Sequence, residues 1–152
     1  MRILVLSDSH GADHNVIHAL MEHKEADAIV FLGDGERDIE TARGIIAGKP
    51  LICVKGNCDF YSQLPEYALE RMGGKLIYAT HGYCEQVKYG NTMLIERARR
   101  FGADIVLYGH THTPHVSYED GLYVFNPGSL KNRSYGFVDI TSGGIMCSHL
   151  SL

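Results

Sequence analysis

No stretch of this chain approaches the roughly 18 consecutive apolar residues of a membrane-spanning helix. The first apolar run, Ile3 to Leu6, stops at Ser7-Asp8, too soon for the hydrophobic region of a secretory signal, so a cytoplasmic protein with no membrane partner is expected. An excess of one charge is also missing. A net charge of −4 gives no broad attraction to nucleic acid or anionic lipid and marks no nucleic-acid surface, although a local cationic centre can still hold a phosphate. Cysteine is sparse: Cys53, Cys58, Cys84 and Cys147 form no Cys-x-x-Cys pair. A chain of 152 residues buries enough surface to fold without disulfides, so reduced thiols are expected. Low-complexity segments, repeats of fixed period and linker-like boundaries are lacking too, which leaves one domain over residues 1–152.

What is present is a regular alternation. Short apolar runs at Arg2 to Ser7, Asp27 to Leu32 and Leu51 to Lys55 are separated by amphipathic segments at Ala12 to Lys24 and Glu36 to Ala47. That pattern predicts β-α-β-α-β with a parallel sheet. Val16, Ile17, Leu20 and Met21 line one helical face, as do Leu94, Ile95, Ala98 and Phe101 within Asn91 to Phe101. Past Asp59, turn signals at Gly73-Gly74, Asp120-Gly121 and Ser142-Gly143-Gly144 separate strand-like runs and predict three hairpins. The second half is therefore expected to be mainly antiparallel, in two sheets packed face to face with helices outside. The stretch Gly44 to Pro50 has the wrong spacing for a phosphate-binding loop, and Pro50 stands where Ser or Thr is required.

The polar residues that follow the apolar runs carry the chemistry. They read SDSH (Asp8, His10), LGD (Asp34), KGNCD (Asn57, Asp59), ATHG (His81) and YGHTH (His110, His112). Taken singly, an Asp-x-His or a Gly-Asp is a cap or a turn. Five such strand ends can converge, because open α/β sheets place their crevices at the carboxyl ends of strands. Carboxylate, amide and imidazole form a site for Mn, Fe, Co, Ni or Zn rather than a cysteine-zinc cluster. Two divalent ions against Asp8 and Asp34 leave excess positive charge for a phosphate and lower the pKa of a bound water. Asp34, the lone acid at its strand end, is the candidate bridge.

In this order the motifs resemble the calcineurin-like metallophosphoesterases. GNCD, the VKYG after His81, GHTH and NPGS (Asn126 to Ser129) are most similar to the small YfcE-like phosphodiesterase branch. That resemblance implies a four-layer α/β/β/α sandwich of two mixed sheets. It implies phosphodiester hydrolysis by a hydroxide bridging two transition-metal ions, manganese foremost. One ion falls to Asp8, His10, Asp34 and His112, the other to Asp34, Asn57, His81 and His110, with Asp59 behind them orienting a ligand. Asn57, Cys58 and Arg133 become candidate contacts for a small phosphoester, and a homo-oligomer is compatible.

The chain departs from that pattern in three places. Tyr83 stands where the branch often has a second His, only Leu130 to Arg133 fills a loop that relatives often lengthen, and Cys58 replaces a His common in the superfamily. A phosphomonoesterase of the same fold and a non-catalytic scaffold are the competing functions, and retention of all seven candidate ligands, His81 included, favours an enzyme. His14 and His18 read as a solvated helix face, the Arg97, Arg99, Arg100 cluster as a helix end, and Cys53 and Cys147 as small buried apolar residues.

Overall fold

The computed structural model describes residues 1–46 and 48–152. Its elements in chain order are β1 (Arg2–Leu6), α1 (Asp13–Glu22), β2 (Ala28–Phe31), α2 (Glu36–Thr41), α3 (Arg43–Ile46), β3 (Leu51–Cys53), β4 (Tyr67–Met72) and β5 (Lys75–Thr80). They continue with α4 (Thr92–Phe101), β6 (Ile105–Leu107), β7 (His115–Glu119), β8 (Leu122–Asn126), β9 (Ser134–Thr141) and β10 (Gly144–Ser151). The strands form two sheets, in the orders β10-β9-β1-β2-β3 and β4-β5-β6-β8-β7.

Burial on both faces explains why β1 and β2 are uniformly apolar. Ile3, Val5 and Val30 point into a layer shared with Ile77, Ile105, Leu107 and Phe125 of the second sheet. Leu4, Leu6 and Phe31 point the other way, against Val16, Leu20 and Ile39 of α1 and α2. On the far side Val106 and Val124 meet Leu94 and Ala98 of α4. The result is helix, sheet, sheet and helix in four layers, the α/β/β/α sandwich expected.

The second half of the chain is mainly antiparallel, as expected, through the β4-β5, β7-β8 and β9-β10 hairpins and the β1-β9 pair, but it also holds a parallel run, β5-β6-β8, that was not expected. Parallel neighbours need crossover connections. Helix α4 supplies one between β5 and β6, and β7 supplies the other by stepping outside β8 on the way back. The expected helix from Glu36 is also broken, with Ala42 (φ −89°, ψ 2°) between α2 and α3. Thr41 Oγ1 donates to the Arg37 carbonyl at 2.9 Å, a side-chain bond that competes with the helical ladder. Ala47, the end of that expected helix, lies outside the described residues. The hairpins follow their turns: Gly73 and Gly74 both have positive φ (57° and 79°) and join β4 to β5 in two residues.

Phe125→Ala empties part of the layer between the sheets and is expected to lower the unfolding free energy by about 3–5 kcal/mol in chemical denaturation. A loss under about 1 kcal/mol would mean that this layer is not the main core.

Candidate metal centre

The first sheet delivers Asp8 and His10 after β1, Asp34 after β2, and Asn57 after β3, while the second delivers His81 after β5 and His110 and His112 after β6. The backbone at most of these positions is unusual. Asp8, His10, Asp34, His110 and His112 all have left-handed φ, between 44° and 67°. Such a conformation costs on the order of 1–3 kcal/mol for a non-glycine residue and persists where the surroundings enforce it.

The side chains gather in overlapping groups. Asp8, His10 and His112 form one and Asp34, His81 and His110 another, each with ligand atoms within 4.8 Å of one another. In the first, His112 Nε2 lies 3.1 Å from Asp8 Oδ1 and 3.1 Å from His10 Nε2. In the second, His81 Nε2 lies 3.2 Å from His110 Nδ1 and 3.1 Å from Asn57 Oδ1. Asp34 Oδ2 faces both groups, 3.7 Å from His10 Nε2 and 3.5 Å from His81 Nε2. Cys58, expected as a substrate contact, brings its thiol into a third group with His10 and Asp34.

These contacts suit a cation. Donor atoms about 2.1 Å from a common ion stand about 3.0–3.4 Å apart on its coordination polyhedron, close to the separations here. Asp8 Oδ1 is buried and lacks any hydrogen-bond partner among the described residues, a state that costs about 1–3 kcal/mol unless something positive meets it. His81 donates through Nδ1 to the Leu32 carbonyl at 2.7 Å. That bond fixes the ring and turns Nε2 towards its neighbours, as in histidines that hold metals. Burial alone would raise the Asp34 carboxyl, but hydrogen bonding and charge from His81 hold it below the usual range. Burial lowers His81, yet Asp34 and Asp8 leave it above its ordinary value. Burial and the neighbouring His81 push His110 down to about 4. At His81, beside Asp34 and Asp8, the field thus draws positive charge. Burial, then Asp34, raises the Cys58 thiol to about 11.

A frame of hydrogen bonds holds the turns. Asp59 accepts from the backbone N–H groups of Asp34 and Gly56 on one oxygen, at 2.8 Å each, and of Gly35 and Glu36 on the other, at 2.9 Å each. Gly56 has to be glycine here, since a Cβ would collide with Asp34. The Cys58 N–H donates to Asp34 Oδ1 at 2.7 Å. Residues that the sequence left unassigned complete the frame. Ser129 Oγ donates to the Asp8 carbonyl at 2.7 Å, Asn126 Nδ2 to the Gly109 carbonyl at 2.8 Å, and Asp38 accepts from Ser9 Oγ and Gly11 N–H. Asn126 and Ser129 were visible only as the ends of the NPGS motif, and nothing marked Asp38. Arg133 stays outside, exposed and left-handed (φ 66°), with its carbonyl bonded to Leu152. His14 and His18 are exposed, as a solvated face requires. Arg97 instead makes an ion pair with the buried Glu85 at 2.7 Å.

An α/β sandwich with carboxylates and imidazoles crowded at the ends of its parallel strands defines a fold with a candidate metal centre. The calcineurin-like phosphoesterase superfamily domain matches residues 1–143, and the chain belongs to that superfamily. It is 33% identical over 132 residues to the "Probable metallophosphoesterase YsnB" of Bacillus subtilis, covering 86% of this chain and 76% of that one. A crystal structure of a "predicted phosphoesterase" from Streptococcus pneumoniae TIGR4 superposes with a TM-score of 0.85 at 30% identity, over 99% of this chain and 88% of that one. A structure described as a novel archaeal phosphodiesterase shares the fold across 100% of both chains, with a TM-score of 0.79 at 19% identity.

Asp59→Ala orphans four N–H groups and is expected to cost at least about 2 kcal/mol of stability. Amide exchange at Asp34, Gly35, Glu36 and Gly56 should accelerate together. Unchanged protection at these four would show that Asp59 does not hold the turns.

Proposed function

We propose that the protein is a phosphodiesterase that works with two divalent transition-metal ions, manganese first among them, on a small phosphoester. One ion is assigned to Asp8, His10, Asp34 and His112, the other to Asp34, Asn57, His81 and His110. The observation that carries this assignment is Asp34 Oδ2, which faces an imidazole of each group. When bound, the ions supply an acidified water as nucleophile and positive charge for the phosphate. Asp34 and Asp8 contribute the negative charge that retains them, and His81, locked by Leu32, keeps its Nε2 aimed inward. Asn57 adds a neutral oxygen and leaves the site's surplus positive charge for the substrate. Asp59 is assigned a supporting role, fixing the turns of Asp34 and Asn57. Four free cysteines fit a cytoplasmic setting, and no helix of the described residues is long and apolar enough to cross a membrane.

Metal analysis of protein prepared without chelator should approach two equivalents. Asp34→Ala should lose both ions and Asn57→Ala mainly one. Equal losses in the two variants would remove Asp34 as the bridge. In the metal-reloaded protein, a diester should be hydrolysed faster than its monoester. The reverse order would make the enzyme a monoesterase, and a fully loaded protein inactive on both would be a binding module.

The turn after Asn57 offers the leaving group a thiol, a weak hydrogen-bond donor, where an imidazolium would contribute roughly 10²–10⁴ in rate as a general acid. A steep dependence of kcat/KM on leaving-group pKa is expected. Cys58→His should flatten that slope and Cys58→Ala should hardly move it. A Cys58→Ala loss as large as that of a ligand variant would place the thiol in the chemistry.

A further inference from the structure

Four aromatic side chains stand largely in solvent around the candidate centre and outside the core, one of them, Tyr83, edge-on to His110 with ring centroids 5.5 Å apart. Phe60 and Tyr61, just past the GNCD turn, are 80% and 98% exposed, and Tyr83 and Tyr89, after His81, are 58% and 92% exposed. They line two hollows. Phe60, Tyr61, Arg37 and Cys58 border one of about 620 Å³. Tyr83, Tyr89, Lys88, Asn57 and His110 border another of about 560 Å³. Both sizes lie within the roughly 300–1,000 Å³ of small-ligand sites.

The hollows meet at adjacent residues, where Asn57 Nδ2 donates to Cys58 Sγ at 3.3 Å. Through Cys58 the first hollow adjoins the group of His10 and Asp34, and through Asn57 and His110 the second adjoins the group of His81. The second hollow contributes one cation, Lys88, and the first contributes Arg37 alongside the acids Glu36 and Asp59, in a chain whose net charge is −4.

We propose that this rim is a two-armed groove for a dinucleotide, with the phosphodiester over Asp34 and one base stacked in each hollow. The proposal rests on the phosphodiesterase assignment and names its substrate class. Aromatic rings in water are stacking platforms for bases, worth about 1–3 kcal/mol per base and tolerant of base identity. Tyrosine hydroxyls and a charged side chain in each arm suit a wet, stacked ligand better than an acyl chain. A long strand gains its affinity from many neutralised phosphates, and one cation per arm on an acidic protein limits the ligand to two nucleosides. In the reaction one water adds across the P–O bond: its oxygen joins phosphorus, and its proton ends on the departing nucleoside oxygen. The products are a nucleoside and a nucleoside monophosphate. Stacking away from the phosphorus is binding energy that offsets the poor alkoxide leaving group.

The test uses the metal-reloaded full chain with adenylyl-adenosine and with methyl p-nitrophenyl phosphate. It compares wild type with two double variants, Phe60→Ala/Tyr61→Ala and Tyr83→Ala/Tyr89→Ala. The ratio of kcat/KM for the dinucleotide to that for the small diester should fall at least about 5-fold in each. Saturation-transfer NMR should show both bases touching wild-type protein and one base released in each variant. A ratio that does not move, a dinucleotide left intact while the small diester is cleaved, or an altered oligomeric state in the variants would overturn the groove and leave the phosphodiesterase assignment standing. No cleavage of either compound by protein holding two ions would overturn both.

Discussion

The carboxylate of Asp59 ties two strand ends into one knot, and the geometry of the candidate centre follows from it. Its two oxygens take four backbone N–H groups, two on each. Hydrogen bonds to a charged acceptor are among the stronger ones available to a protein. With those donors satisfied, the chain at Gly56 can lie against Asp34, where any side chain would collide. The Cys58 N–H then reaches Asp34 Oδ1, and the other Asp34 oxygen is left to face His10 and His81. A strand built for the core thus ends in an amide that points inward and an acid that holds the turn.

Five of the seven candidate ligands sit in the left-handed backbone region, and an acceptor of Asp8 is buried without a hydrogen-bond partner among the described residues. Each is a local cost. They are sustained by bonds that do not involve the ligand atoms themselves: Ser129 to the Asp8 carbonyl, Asn126 to the Gly109 carbonyl, and the Leu32 carbonyl to the far side of His81. The backbone around the candidate ligands is therefore held by bonds that leave their ligand atoms free.

Much of this was legible in the chain because the strongest signals are local. Apolar runs followed by Asp, Asn or His mark the parallel strand ends, and turn glycines mark the hairpins. The parallel run β5-β6-β8 was not legible, because hairpin signals at β7 and β8 say nothing about which neighbour a strand takes on its other side. The break at Ala42 follows a Thr41 hydroxyl bonded back to the Arg37 carbonyl, a local competition that apolar periodicity does not register. Asn126, Ser129 and Asp38 were missed for a similar reason. Their partners lie 17, 121 and 29 residues away, so periodicity could not reveal them. The pair of buried Glu85 and half-buried Arg97 escaped likewise, since its meaning depends on Tyr78 donating to the same carboxylate.

The two sheets do not contribute alike. The acids and the amide come from the first, and three of the four imidazoles come from the second, so every candidate ion would be gripped from both layers. The apolar layer between the sheets resists separation but has little preference against a small slide, because dispersion contacts are non-directional. A coordination shell is directional. Ions seated at this seam would act as rivets against shear, locking one sheet over the other to a fraction of an ångström that greasy packing cannot define.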